Sequence, residues 1–385
     1  MITVLHLSSE NKFIESGLAL FETIDSVKNK VVIVDLSNNG NKENIKINKL
    51  KLIIYNQKNL YSYLKNSSYD LVVFHSMKDC FYNAIKYIDI KIPKIWISWG
   101  FDLYRDISDD NFRLPIQIAL YKKQTYYEYK NNTKSIKRDV KKYFSFFYRL
   151  YTHFVYRRFV ININYCSTVL ENEFILLKNK KPFNAKYFHF SYALSTTTIK
   201  NCLSLKKGNK VMIGNSASYT NNHLDIFSII LSLKIKNKLI IPISYGDEQY
   251  SKLIELKARE FFGDKCVCLK SFLPLSEYMS TLSECGYLLI GALRQQAIGN
   301  IELAFLQGLK VFLYERSIMY SYYKSKGFVV FSIEDLASGS ELLDPLSKEE
   351  VKTNRYKVLL LRKNIIRNFK IDMNTIINCI DSNKN

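Results

Sequence analysis

Tyr287-Leu-Leu-Ile-Gly-Ala-Leu293 runs directly into Arg294-Gln295-Gln296-Ala-Ile-Gly299-Asn300. The first stretch reads as an apolar strand and the second as the opening of a helix, so polar side chains fall where a parallel sheet delivers chemistry. In open α/β sheets, ligands bind beyond the carboxyl ends of strands, where helix amino termini present free N–H groups to anions. A phosphate-bearing ligand is the first expectation. The competing one is an ordinary strand-to-helix turn with a surface arginine.

Working outward, strand-like runs recur at Val211-Met-Ile, Lys238-Leu-Ile-Ile-Pro-Ile, Cys266-Val-Cys-Leu, Lys310-Val-Phe-Leu and Phe328-Val-Val-Phe. An earlier series comprises Thr3 to Leu7, Val31 to Leu36, Lys51 to Tyr55, Leu71 to His75 and Ile95 to Trp99. Intervals long enough for helices separate the strands, and that alternation predicts parallel sheets. Two Rossmann-like α/β domains are expected, residues 1–195 and 196–385. Lys178 to Asn209, rich in Lys, Asn, Ser and Thr, reads as the linker, and the last helix is a candidate to cross back to the first domain. With 385 residues, the chain suits two domains at roughly 150 residues each.

The second domain offers another phosphate-type turn, Gly214-Asn215-Ser216, after the strand at Val211 and before a helix expected to start near Asn221 or Asn222. Small residues let the backbone approach a ligand, and free N–H groups with a serine hydroxyl suit a diphosphate. No Gly-x-Gly-x-x-Gly and no Walker-type loop occurs, so neither a nicotinamide dehydrogenase nor a P-loop NTPase is supported. In the first domain, His75 and Asp102 stand at neighbouring strand ends, with His6 at the end of the first strand. A histidine and a carboxylate there could orient or deprotonate an alcohol. Otherwise His75 is a satisfied core histidine and Asp102 a helix cap.

The formal charge is +21, from 56 Lys or Arg against 35 Asp or Glu. Part of it is a diffuse Lys-rich background. The rest clusters: residues 112–159 hold twelve Lys or Arg and two acidic residues. In the same stretch Phe144, Phe147, Tyr151, Phe154 and Val155 recur at helical spacing. A basic aromatic segment at 112–160, ending in an amphipathic helix, suits an anionic membrane surface, or its stripe packs on the core with the lysines solvated. Nucleic acid is the weaker partner, because no recognised motif accompanies the charge. No run of 18 or more apolar residues occurs, so the chain is expected to lie on a bilayer without spanning it. Seven cysteines, mostly inside apolar runs, and no signal-peptide pattern lead to a reducing cytoplasm. Cys266-Val-Cys268 has the wrong spacing for zinc, and neither a metal nor a cofactor is expected.

Trp99-Gly-Phe-Asp-Leu-Tyr104, Gly214-Asn-Ser216 with Asn221 and His223, Pro242 with Tyr245, and Arg294-Gln-Gln-Ala-Ile-Gly299 together resemble family 56 of the glycosyltransferases. The resemblance implies a GT-B fold, two Rossmann-like domains facing across a cleft. It implies retaining transfer of a 4-acetamido-4,6-dideoxygalactose from a TDP-sugar to an undecaprenyl-diphosphate-linked saccharide in bacterial surface polysaccharide synthesis. It also implies peripheral attachment to the cytoplasmic face of the inner membrane. On this reading the donor contacts are Gly214, Asn215, Ser216, Asn221, His223, Tyr245, Arg294, Gln295, Gln296, Gly299 and Asn300, while His75, Asp102 and His6 face them from the first domain. Tyr245 is a candidate to stack on the base. Glu302 departs from the family pattern: it either accepts hydrogen bonds from the ribose or is only a favourable charge near a helix amino terminus. The basic aromatic stretch is longer than the family's. The alternatives are a UDP- or GDP-sugar donor, and a non-catalytic basic protein that binds anionic lipid or nucleic acid.

Overall fold

The computed structural model describes residues 1–9, 14–35, 45–48, 51–54, 56–106, 116–132, 150–151, 153–180, 183–192, 196–204, 208–339, 341 and 343–383. The alternation of apolar strands with longer segments builds two large sheets, beside a small parallel pair of Tyr104–Asp106 with Ile116–Ile118. The first has eight strands, from one edge Lys186–Tyr187, Tyr165–Ser167, Lys94–Ile97, Leu71–His75, Ile2–Ser8, Val27–Val34, Lys51–Ile54 and Ile45–Asn48. All neighbours are parallel except the last pair. The second has six parallel strands, Cys266–Leu269, Leu239–Pro242, Lys210–Ile213, Cys285–Ile290, Lys310–Leu313 and Phe331–Ser332.

Strand order locates the sites. In the second sheet the chain winds outward one way from Lys210–Ile213 and the other way from Cys285–Ile290, so the order reverses between these adjacent strands. In the first sheet the reversal falls between Ile2–Ser8 and Leu71–His75, where Ser8 is in register with His75. A crevice opens at such a point because the flanking connections leave on opposite faces. The Gly214 and Arg294 turns follow the two switch strands of one sheet, and His6 and His75 lie on the switch strands of the other.

Five strands escape the sequence reading: Ile45–Asn48, Tyr104–Asp106, Ile116–Ile118, Tyr165–Ser167 and Lys186–Tyr187 are only two to four residues long, too short for a periodic signal. The last lies inside the expected linker, which also contains a helix, Thr196–Ser204. Phe188 and Phe190, both buried in the first domain, hold that segment against its sheet. At the other end, Phe328–Val330 is not strand, and only Phe331–Ser332 pairs.

A 35-residue helix, Lys348–Ser382, closes the chain, started by a capping box in which Ser347 and Glu350 exchange hydrogen bonds. Its first half packs on the second domain, with Val358 in that core. Its second half sinks Phe369, Met373, Ile376 and Ile380 among Ile2, Val4, Phe21 and Phe188 of the first. Each such burial contributes about 1.5–3 kcal/mol, so the helix ties both units together. A second tie is the segment from Leu120 to Thr125, whose backbone bonds to Asn222 and Asp225 at the start of helix His223–Ser232.

The expected amphipathic stripe resolves differently. Phe144 and Phe147 lie outside the described residues. Over 153–161 the helix buries Val155, Tyr156, Phe159 and Val160 in the first core, while Tyr151 and Phe154 are exposed beside Arg157 and Arg158. Val155 stands at the edge of the buried stripe, one turn on from exposed Tyr151: the inward positions are 155, 156, 159 and 160.

Candidate active site

Strand Lys210–Ile213 ends in Gly214, whose φ of +70° suits a residue without a side chain. A Cβ there would sit 2.5 Å from His223 Nε2. Beyond it, Asn215 donates to the Tyr245 hydroxyl at 2.8 Å and accepts from Gln296 Nε2 at 2.8 Å. Gln296 Oε1 accepts from the Thr220 hydroxyl at 2.6 Å, and Thr220 meets Ser218 at 2.7 Å. Asn215 and Gln296 are both buried, so this chain of amides and hydroxyls locks the two turns together. Ser216 is held by Asn221, which donates to its carbonyl at 2.8 Å and its hydroxyl at 3.2 Å.

Helix His223–Ser232 begins at Asn222 and helix Ile298–Gln307 at Ala297. Both preceding residues are left-handed, with φ of +50° and +60°, and neither provides a side-chain cap. Two amino termini are thus left without a side-chain acceptor, the arrangement that attracts anions. Gly299 is exposed and a Cβ on it would touch nothing within 4 Å, so packing does not demand a glycine there. Asn300 is half-buried in the same turn.

His223 is fully buried and its Nδ1 lies 3.3 Å from the Tyr250 hydroxyl. Burial lowers its pKa to about 3, so the ring is neutral. Its Nε2, like Asn221 Oδ1, has no hydrogen-bond partner among the described residues. Both atoms belong to groups that flank Gly214.

Arg294 joins this end of the second sheet to the first domain. Its Nη1 donates to the Gln295 carbonyl at 2.9 Å. The guanidinium lies against Gly100, where any Cβ would strike it and the Gln295 carbonyl, 2.7 Å away. Burial lowers its pKa, and Tyr104, Tyr121, Glu173 and Tyr245 around it favour the charged form. Tyr104 donates to Glu173 at 2.6 Å, while the backbone of Gln295 bonds to the same phenol. Burial raises Glu173 to about 7, opposed by Tyr104, the Leu170 N–H and Arg294.

The three first-domain candidates are placed at the opposite wall, each within a hydrogen-bond network of the fold. Asp102 accepts from the Met77 N–H at 2.7 Å, the Trp96 indole at 3.1 Å and the Trp99 N–H at 2.6 Å. It caps the short helix Gly100–Leu103 and joins the ends of two strands. Burial pushes it up to about 8 against those three donors, which favour the ionised form. No hydrogen bond connects it to His75.

His6 and His75 form part of a continuous chain. Trp99 Nε1 donates to the Tyr192 hydroxyl at 2.9 Å, Tyr192 meets His75 Nδ1 at 3.1 Å, His75 Nε2 meets His6 Nδ1 at 3.0 Å, and His6 Nε2 meets Asn29 Oδ1 at 2.9 Å. An indole N–H can only donate and an amide oxygen can only accept. Every proton between them is therefore directed from Trp99 toward Asn29, and both imidazoles are neutral. Burial supports this, holding His6 at about 4 and His75 well below 6.5. Both nitrogens of each ring are used, so neither histidine has one left for a substrate hydroxyl.

Glu302 stands apart from the donor network. Its carboxylate pairs with Arg362 of the last helix, both buried, so the ribose contact expected of it competes with an ion pair. Tyr245 is half exposed at the crevice rim, as a base platform would need.

Sequence reading missed Tyr192, Glu173, Thr220 and Arg362, while the helix start expected near Asn221 or Asn222 falls at Asn222. Tyr192 fell in the expected linker, and Arg362 looks like any cation on an amphipathic helix. Trp99 and Tyr104 were inside a quoted motif, but only the fold shows what they touch. Among the described residues, no group of three or more His, Cys, Asp or Glu is placed to hold a metal ion, and no helix is long and apolar enough to cross a membrane. Concave patches at Lys65 to Arg158 and along Cys266 to Lys270 lie on outer faces and do not border the cleft.

Comparison with known proteins agrees with this geometry. Solved structures similar over nearly the whole chain include alpha,alpha-trehalose 6-phosphate synthase from Burkholderia multivorans, at 8% identity and TM-score 0.62, covering 100% of this chain and 99% of that one. Sucrose-phosphate synthase from Thermosynechococcus elongatus is similar at 11% identity and TM-score 0.61, covering 99% and 100%. An alpha-glucosyltransferase solved with UDP matches at 10% identity and TM-score 0.52, covering 98% and 100%. At such identities these likenesses give the fold, which is GT-B. No curated protein matches the chain. The model of the family described as 4-alpha-L-fucosyltransferase, glycosyl transferase group 56, matches residues 139–373, more than half of the chain. With two parallel-sheet domains meeting at their switch points, the chain is a glycosyltransferase that belongs to glycosyl transferase group 56, the 4-alpha-L-fucosyltransferase family.

Proposed function

We propose that this glycosyltransferase moves a 4-acetamido-4,6-dideoxyhexose from TDP to an undecaprenyl-diphosphate-linked saccharide during bacterial surface polysaccharide synthesis. The observation that carries the donor half is the bond between Gln296 and Asn215. It brings two glycine-containing turns and two helix amino termini without side-chain caps to one crevice beside Arg294, and their charges suit a diphosphate. As the sugar leaves, the developing negative charge on the diphosphate is offset by Arg294 and the helix dipoles, with no metal invoked. Tyr192 and Trp99 line the opposite wall, their hydroxyl and indole oriented by the histidines. Front-face transfer with retention needs no enzymic base, and His6, His75 and Asp102 are all engaged in hydrogen bonds within the fold.

The lipid-linked acceptor and an anionic membrane at the cytoplasmic face are proposed from the charge. Exposed Leu150, Tyr151 and Phe154 next to Arg157 and Arg158 support that reading, since exposed aromatic and aliphatic side chains beside cations favour an anionic interface. A second reading, a UDP-sugar donor, is favoured by the neighbour solved with UDP.

Thermal unfolding with TDP, UDP and GDP tests the donor. A TDP-selective rise in Tm that disappears in Arg294→Ala, with an unchanged circular dichroism spectrum, is the expected result. A UDP-selective rise moves the donor to the second reading, and no rise with any of the three overturns the nucleotide site. Cosedimentation with phosphatidylglycerol vesicles tests the membrane, and failure to pellet at low salt removes it.

A further inference from the structure

The last helix changes domains near its middle, and one residue is bonded to both sides. Arg362 Nη2 pairs with Glu302, four residues into the helix that starts at the Arg294 turn. Its Nη1 donates to the Ser191 hydroxyl at 3.1 Å and to the Tyr192 carbonyl at 3.0 Å. The side chain is 10% exposed. Before it, Arg355 donates to the Leu306 carbonyl at 2.7 Å and Val351 packs over Gly308, both contacts with the donor domain. After it, Phe369 and Met373 are buried in the first domain.

We propose that Arg362 is a positioning residue for glycosyl transfer, fixing the acceptor-side wall relative to the donor turn. The path is short. Glu302 moves with the helix whose amino terminus faces the donor. Arg362 carries that position to the Tyr192 backbone, and the Tyr192 phenol is bonded to Trp99 and His75. A buried guanidinium with three directed bonds tolerates little change in its geometry, because each lost partner leaves a buried charge or polar group unsatisfied. A diphosphate that orders the helix at Ile298 thereby orders Tyr192 as well, and by reciprocity an ordered Tyr192 strengthens donor binding. The inference rests on the donor reading above, and the experiment separates the two.

The test is hydrogen exchange by mass spectrometry on the full chain with and without TDP and UDP. In the wild type, nucleotide protects peptides covering 294–300 and also the remote stretch 186–192. In Arg362→Lys, which keeps the charge but not the fork, the first protection stays and the second falls from about fivefold to under about twofold. Glu302→Leu/Arg362→Met is the second variant: apolar residues of similar volume in place of a buried ion pair are commonly neutral for stability, and remote protection is expected to be absent there too. If either variant keeps full protection at 186–192, or if the wild type is protected at 294–300 alone, the proposal is overturned. No protection at 294–300 in the wild type instead sinks the donor reading.

Discussion

Gln296 Nε2 donates to Asn215 Oδ1 at 2.8 Å, across 81 residues of sequence. Neither amide is spare: Asn215 turns its nitrogen to Tyr245, and Gln296 turns its oxygen to Thr220. The donor crevice is therefore assembled before any ligand arrives, which lowers the ordering cost that binding must meet.

Replacing Gln296 by Leu should break this lock. The variant removes two buried bonds, leaving Asn215 Oδ1 without a partner and the Thr220 hydroxyl with Ser218 alone, at about 1–3 kcal/mol for the unsatisfied group. Denaturant unfolding should show the loss, and isothermal titration should show nucleoside diphosphate binding at least tenfold weaker. Unchanged affinity in a folded variant would mean the lock serves the fold alone.

The two ends of that bond were legible in the sequence because each follows an apolar run and each contains glycine or polar residues where a helix starts. The same logic located His6 and His75 at strand ends. It gave their positions but not their protonation, because that depends on Trp99, Tyr192 and Asn29, which converge only after folding. Asp102 shows the limit most plainly. A carboxylate two residues after Trp-Gly reads equally as a base or a cap, and only the three N–H donors around it decide. Arg362 was illegible, since its partners lie 60 and about 170 residues away.

The histidine chain predicts acid sensitivity. A buried His6 at about 4 in the folded state takes up a proton at 6.5 when unfolded. Between those values the unfolded chain binds more protons, so stability rises with pH and is lost as pH falls below 6.5. At pH 5 the loss from His6 is about 2 kcal/mol relative to pH 7.5. Glu173 and Asp102, raised to about 7 and about 8, act in the opposite sense, weakening the fold as pH rises from the ordinary carboxyl range. Comparing His6→Asn with wild type isolates the histidine. The variant should be less stable at pH 7.5, and the gap should narrow at pH 5. A constant gap at both values would rule out a neutral buried His6.

Asp102→Asn should behave as a structural lesion. With the amide nitrogen at the Oδ1 position the Trp99 N–H faces a donor, and with it at the Oδ2 position the Met77 N–H and the Trp96 indole both do, so at least one of the three bonds becomes a donor–donor contact. A cost of about 2–4 kcal/mol follows, with a change in tryptophan fluorescence because two indoles adjoin the site. Nucleotide affinity, set by the other domain, should stay within about twofold of wild type in the fraction that folds. A variant with wild-type Tm and emission but no transfer activity would return Asp102 to acid–base chemistry.

Gly214 and Gly299 are both glycines in donor turns, yet the fold needs only the first. At Gly214 an added methyl meets the unfavourable φ of +70° and a contact of 2.5 Å with His223 Nε2. Gly214→Ala should therefore lower stability by about 1–3 kcal/mol whether or not ligand is present. At Gly299 the space is open, the residue is in the first turn of a helix, and alanine is the better helix former by up to about 1 kcal/mol. Gly299→Ala should leave Tm unchanged or slightly raised. If the diphosphate comes within contact distance of that exposed backbone, the same methyl should weaken nucleotide binding severalfold, an effect visible only in titration. The two variants separate backbone freedom needed for folding from backbone access needed for the ligand. Gly299→Ala with both wild-type stability and wild-type affinity would move the diphosphate away from the Ile298 amino terminus and toward Gly214.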